Sequence, residues 1–469
     1  MKNSKESLSR FCLIILLGSL LLGSCQMQDD WLNAKRDKSD ITPKSLDDFQ
    51  AVLDNSNTLN KGYPTLGMIS TDNLYLPDNI LGSVSERERN AYSWAKDIFN
   101  GSASNEFASP YIAIGFCNIV LEGTRSIKPT DVQTAQLTNI KGQALFHRAM
   151  SLYNLSQLFC KPFNPSTAGS DLGLQLKVSS DPNEKVKRSS VKETYEFIIS
   201  DLKQAITLLP EKQLYTTRPS RKAAIALLSK VHLSMQDYKS AADAASTVLG
   251  EKPVLLDFNG DKVKSLATYV FPPYSNQMVN EEIIFFAYGM SLVSIWPVNN
   301  VGFVDPLMYK SYHANDLRKT LFFKTNVDGL AKFTGAYTGT FYNFSGIATN
   351  EILLVLAESL ARTGQTAKAL GLLESLLINR FKSGTYQKLS IPDDQVLATI
   401  LEERRKELPF TGQLRWEDLR RLNQDPMFAI TLTKTVNGAK KDLVPNDGKY
   451  VFPFPDQEIL LSGVQQNER

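Results

Sequence analysis

Residues 190–250 spell three successive helices whose apolar faces can be buried only against neighbouring helices. Tyr195, Ile198, Leu202, Ile206 and Leu209 recur at alternating three- and four-residue steps, which draws one apolar stripe along a helix. Ser190 with Glu193 makes a capping box at its start, and Pro210 marks its end. Ser220 to Ser234 is helical through Ala224, Leu227, Leu228 and Val231, and a Met-Gln-Asp turn follows. Tyr238 to Leu249, closed by Gly250, completes the hairpin; Ala241, Ala242 and Ala245 allow its second helix to approach the first closely.

The same design recurs downstream. Asn350 to Arg362 reads as a helix, Thr363-Gly364-Gln365 as a turn, and Thr366 to Phe381 as a second helix. Upstream, Thr134 to Phe159 reads as one long amphipathic helix through Leu137, Ile140, Ala144, Leu152 and Leu155. Hairpins of this length and alanine placement match the tetratricopeptide type, which is stable only when stacked. Here they are separated by ~100 residues, so a continuous solenoid is not expected. Residues 55–110, 160–185, 255–349 and 425–456 are rich in Gly, Pro, Asn, Asp and aromatics. Pro272-Pro273, Gly335 to Gly339 and Asn446 to Gly448 mark turns among them. The expected fold is mostly α: a tetratricopeptide-like scaffold over about 130–250 and 350–424, with long irregular loop insertions, chiefly about 55–110 and 255–349, and a few short strands. Binding sites usually lie on such loops.

The N-terminus carries an address. Lys2, Lys5 and Arg10 precede an apolar run from Phe11 to Leu22, then Gly23-Ser24-Cys25. The run falls short of the ~20 apolar residues a spanning helix needs, and reads as a secretory signal over residues 1–24. Leu22-Gly23-Ser24-Cys25 resembles a bacterial lipobox, with Cys25 as the lipidated first residue of the mature chain. Residues 25–40 then form a polar tether, and 41–469 a single domain. Asp29 and Asp30 resemble the surface-export signals of some Gram-negative lipoproteins.

Composition narrows the function. The chain is 42% hydrophobic and 22% charged with a formal charge of +3, ordinary globular values with no basic face for nucleic acid. Cys117 and Cys160 remain after the N-terminal cysteines are accounted for; they read as buried thiols, with a disulfide left open. His147, His232 and His313 lie far apart, so neither a metal site nor a cofactor is expected.

The most specific segment is Leu401-Glu402-Glu403-Arg404-Arg405-Lys406-Glu407-Leu408-Pro409-Phe410, then Gly412, Arg415-Trp416 and Asp418-Leu419-Arg420-Arg421. It resembles the signature of the SusD/RagB-like outer-membrane nutrient-binding lipoproteins. Thr411 stands where the family has an acidic residue, and Leu414 is an extra residue. Asn139 to Phe163, Arg218 to Leu249, Glu282 to Phe285, Asp316-Leu317-Arg318 and Tyr450 to Pro455 resemble further family elements in their usual order. The resemblance implies a tetratricopeptide-like scaffold under a variable loop face. It also implies glycan binding at the cell surface and delivery to a SusC-like TonB-dependent outer-membrane transporter. A few relatives handle peptides.

Arg404, Arg405, Glu407 and Arg415 read as structural pairs rather than a catalytic set. Asp72, Asp78, Glu281 and Glu282 are the carboxylates a glycosidase could use, but no hydrolase motif accompanies them, and the chain reads as a non-enzyme. Sugar capture needs an aromatic face ringed by amides and carboxylates. Trp94, beside Asp72, Asn73 and Tyr75, and Trp296, with Asn299, are the leading candidates, each also readable as core filler. Tyr274, Tyr288, Tyr337 and Tyr342 are secondary candidates of the same kind. A peptide groove, a surface hydrolase and a purely structural docking protein are the rival readings.

Overall fold

The structure, a computed structural model, describes residues 43–264, 267–274, 280–290 and 301–469. The signal, Cys25, the tether, Trp296 and Asn299 lie outside the described residues. Nine long helices carry the architecture: α1 (Asn105–Gly123), α2 (Asp131–Phe159), α3 (Val191–Leu208), α4 (Arg221–Ser234), α5 (Tyr238–Leu249), α6 (Thr349–Arg362), α7 (Thr366–Leu377), α8 (Asp393–Glu407) and α9 (Leu414–Leu422). Among the described residues no helix is long and apolar enough to cross a membrane.

Helices α1 to α8 pack each on the next in chain order. The stack does not stop at the long insertion, contrary to the spacing argument. The chain leaves after α5, returns near residue 347, and α6 docks directly on α5. Strand pairing closes the excursion: Ile283–Phe285 lies antiparallel to Ile347–Ala348, immediately before α6 begins. Four other two-stranded ribbons staple loops elsewhere, including Leu74–Tyr75 against Phe303–Val304 and a hairpin of Leu432–Val436 with Ala439–Leu443.

Local chemistry explains the helix ends. The Ser190 hydroxyl accepts the Glu193 N–H at 3.1 Å while the Glu193 carboxylate accepts the Ser190 N–H at 2.7 Å, so α3 starts where its capping box dictates. Gly250 stops α5 at φ 60°, a conformation that suits glycine. Helix α7 ends at Leu377, four residues before the expected Phe381, because Arg380 and Phe381 are drawn into other contacts. The Arg380 carbonyl accepts the Leu317 N–H at 2.8 Å, and Phe381 bridges to Asp316. Helix α1 runs through Pro110, which sits in its second turn. Phe107, one turn earlier, packs against Phe159 and Phe454 at 5.2 and 4.8 Å between ring centres, and this packing outweighs the missing hydrogen bond.

Helix α2 is more deeply placed than an amphipathic reading implies. Every residue from Gly142 to Phe159 is buried, which is the pattern of a helix surrounded by protein. Its polar members are matched accordingly. Arg148 makes a two-pronged pair with Asp201 of α3 at 2.7 and 2.8 Å and donates to Asn118 of α1 at 2.8 Å, tying three helices together. Gly142 is required by the approach of α3's end, since a Cβ there would lie 2.8 Å from Leu209.

Candidate functional site

The four acidic residues and Trp94 are placed by the structure as supports. Arg415 of α9 holds Asp72 through two hydrogen bonds of 2.8 Å, and Arg405 of α8 adds an ion pair at 3.1 Å. Burial pushes the Asp72 carboxyl up, but Arg415 and then Arg405 outweigh it and hold it well below the usual carboxylate range. Arg405 also donates to Asn73 Oδ1 at 2.9 Å. Asp72 and Asn73 are therefore engaged by the signature arginines, an arrangement that pins the 72–75 segment to the scaffold. Tyr75 is half-buried in the short strand opposite Phe303.

Trp94 is 4% exposed, and its indole N–H donates to the Ser70 carbonyl at 2.9 Å. The buried ammonium of Lys434 lies 4.8 Å from its ring centre. The face that would stack on a sugar is covered, so Trp94 serves as core filler rather than platform. Asp78 accepts the N–H groups of Asn437 and Gly438 at the hairpin turn, and Glu281 pairs with Lys262.

Glu282 sits at the centre of a buried charged layer. It accepts from Arg380 at 2.8 Å, from the Leu256 N–H at 2.8 Å and from the Tyr337 hydroxyl at 2.5 Å. Arg380 also reaches Glu407 at 2.8 Å, and Glu407 receives Arg318 at 3.2 Å and Asn350 at 2.9 Å. Arg318 further binds Asp316 and Glu403 at 2.7 and 2.6 Å. Arg404 and Arg421 both bind Asp418, and Arg421 binds Glu358. The signature segment is thus a clamp joining α6, α8, α9 and the insertion, with Trp416 fully buried against Tyr450 and Phe452. Glu282 and Tyr337, both locked in this layer, offer nothing to a ligand.

An aromatic surface forms elsewhere. Tyr274 stacks on buried Phe286 at 4.1 Å, and Tyr288 meets the same ring edge-on at 4.8 Å. Tyr288 then meets Tyr342 at 5.2 Å, and Tyr342 meets Phe341 at 4.2 Å. Tyr274, Tyr288 and Tyr342 are half-buried, and Phe341 is 44% exposed. Partial burial, and then the neighbouring Tyr342 and Tyr274, raise the Tyr288 hydroxyl above its ordinary pKa. Lys61 stands at the rim, its Nζ 5.6 Å from the Tyr288 ring centre.

Backbone bonds hold this patch rigid. The Tyr288 N–H donates to Asn60 O at 2.6 Å, and the Met290 N–H to Tyr63 O at 2.9 Å. The Asn60 side chain donates to Thr217 and Phe286 carbonyls at 2.9 Å each. Three of the four secondary aromatic candidates are thus brought together. Phe341 escapes sequence reading because a lone Phe-Tyr doublet in a turn-rich stretch carries no period; its neighbour Tyr342 was the available signal. Cys117 and Cys160 are free and buried, with burial raising their thiols to about 12 and 11. Among the described residues no His, Cys, Asp and Glu group could hold a metal.

Comparison with known proteins gives consistent results. Residues 30–233 match the SusD-like family described as starch-binding and associating with the outer membrane. A SusD-like protein P2 of Formosa agariphila is 24% identical over 436 residues, covering 80% of this chain and 81% of the relative. A SusD superfamily protein of Bacteroides fragilis superposes with a TM-score of 0.71 at 23% identity, over 90% of this chain and 99% of the other. A SusD-like carbohydrate-binding protein of Bacteroides vulgatus gives 0.68 at 20% identity, over 90% and 97%. With the signature at 401–421 forming the clamp between helices, the chain is similar over residues 30–233 to the SusD-like family and shares the fold of SusD superfamily structures.

Proposed function

We propose that this protein captures an oligosaccharide on the aromatic surface of Tyr274, Tyr288, Phe341 and Tyr342 and hands it to a SusC-like TonB-dependent transporter. The observation that carries the reading is the continuous run of rings from buried Phe286 out to exposed Phe341. Sugar C–H faces stack on such rings, and rigid backing keeps the ordering cost of binding low. Trp296 and Asn299, eight and eleven residues after Tyr288 in sequence, are proposed to complete the site. Residues 1–24 would be removed, Cys25 lipidated, and 25–40 would tether the binding domain to the outer membrane. The family's description as starch-binding and the carbohydrate-binding relative support glycan over peptide.

Titration calorimetry of the chain beginning at residue 26 tests this against glycan and peptide panels, with Tyr288→Ala, Tyr342→Ala and Trp296→Ala alongside. Saccharide binding weakened by these substitutions is the expected result. Binding of peptides alone would replace the glycan reading with peptide capture.

A further inference from the structure

The turn after α8 places a bulky residue in left-handed backbone. Phe410 has φ 54° and is 3% exposed, and Gly412 follows at φ 49°. Glycine adopts such a φ freely, whereas a phenylalanine there is an outlier that persists only where its surroundings hold it. Strain of this kind gathers at binding sites and ligand clamps. One side chain joins this turn to the aromatic surface: Asn343, the residue after Tyr342.

Asn343 is 4% exposed and has its whole amide engaged. Its Nδ2 donates to the Phe410 carbonyl and, at 3.7 Å, to Met68 Sδ. Its Oδ1 accepts the Gly412 N–H at 3.1 Å and the Ser345 hydroxyl at 2.8 Å. Two donors and two acceptor sites are all that a side-chain amide has.

The main chain of the same residue reaches the other ring. The Gly289 N–H, next to Tyr288, donates to the Asn343 carbonyl at 2.9 Å. Gly289 is fitted to this approach, since a Cβ there would lie 2.5 Å from Asn343 Oδ1. Phe344 bridges to Tyr288, and its carbonyl accepts the Gly412 N–H at 2.7 Å. The Tyr288 and Tyr342 rings come from different segments and meet at 5.2 Å. A ring pair is held only weakly by itself, so its geometry follows the backbones beneath it.

We propose that Asn343 is the positioning residue of the aromatic surface: by tying the Phe410 turn to the backbone beside Tyr288, it fixes the separation and tilt of the Tyr288 and Tyr342 rings. The effect on ligand affinity rests on the glycan reading above; the ring positions do not. Asn343→Asp keeps the size and both acceptances, removes the donor to Phe410 and sets a carboxylate against that carbonyl.

The test is fluorine NMR of the full chain in detergent, carrying 3-fluorotyrosine, with signals assigned by Tyr288→Phe, Tyr342→Phe and Tyr153→Phe. In Asn343→Asp the Tyr288 and Tyr342 signals are expected to shift, while that of Tyr153, buried in α2, stays in place. A residue that only stabilised the fold would lower the urea midpoint and leave the signals of the folded state unmoved. Ser345→Ala removes one of the two bonds to Oδ1 and should give a smaller shift of the same pair, which serves where Asn343→Asp does not fold. For a saccharide bound in the calorimetric panel, Asn343→Asp should weaken affinity about tenfold and add no further loss to Tyr342→Ala. Unmoved Tyr288 and Tyr342 signals in the folded variants, or losses that simply add, would overturn the proposal. A panel in which no saccharide binds defeats the glycan reading and leaves the fluorine signals to decide the role of Asn343.

Discussion

The signature clamp and the aromatic surface treat side chains in opposite ways. Around α8 and α9, carboxylates and guanidinium groups are buried together, with Arg318, Arg380 and Glu407 each at 3% exposure or less. Around Tyr288 and Tyr342, rings that could have filled a core are instead left half in solvent. Buried ions in the first region are held because removing either partner leaves an uncompensated charge. Exposed rings in the second add little to stability and remain free to contact a ligand. The segment richest in charge is thus architectural, and the segment richest in turns carries the candidate site.

Four substitutions and one labelling experiment sharpen that contrast. Glu407→Ala removes a carboxylate shared by Arg318, Arg380 and Asn350, and should cost about 3–5 kcal/mol in urea denaturation. A loss under about 1 kcal/mol, the range of an exposed pair, would break the clamp reading. Glu106 comes next. It accepts the Thr65 and Leu66 N–H groups beneath the aromatic surface, and burial, the largest influence, raises its carboxyl to about 7. A folded-state pKa above the unfolded value means the stability it contributes is full below about 4.5 and lost as pH rises toward 7. Glu106→Gln should flatten that decline, so its stability relative to the native chain should climb by about 2–3 kcal/mol over that window. Parallel pH profiles for the two proteins would show that Glu106 does not titrate there.

Smaller effects separate the two tryptophan and tyrosine settings. Trp94→Phe loses the bond to Ser70 and should destabilise by about 1–3 kcal/mol with glycan affinity unchanged. Tyr342→Ala should behave in reverse, costing within about 0.5–1 kcal/mol of stability while lowering affinity about tenfold. Equal loss of affinity in both would move the site toward Trp94. Finally, Cys117 and Cys160 should resist alkylation in the native protein, read residue by residue by mass spectrometry, because their thiolates are disfavoured by burial. Rapid labelling would show that this core opens.

Much of the scaffold is legible without coordinates. Capping at Ser190, the stop at Gly250 and the turn at Gly364 act within a few residues, so their signals are local. What escaped were outcomes set by distant partners. The stack continues across residues 250–348 because two strands meet some sixty positions apart. Among the candidate site residues, Asp72 and Asn73 were drawn to arginines more than 330 positions away, and Trp94 to Lys434.

By itself the sequence determined the helical hairpins, the family signature and a loop face rich in aromatics, since period, capping and spacing are properties of neighbouring residues. Only the tertiary structure decided which aromatics face solvent and which carboxylates are consumed by arginines. Exposure is a property of what packs from elsewhere in the chain, and Trp94 and Tyr342 look alike until those partners are in place.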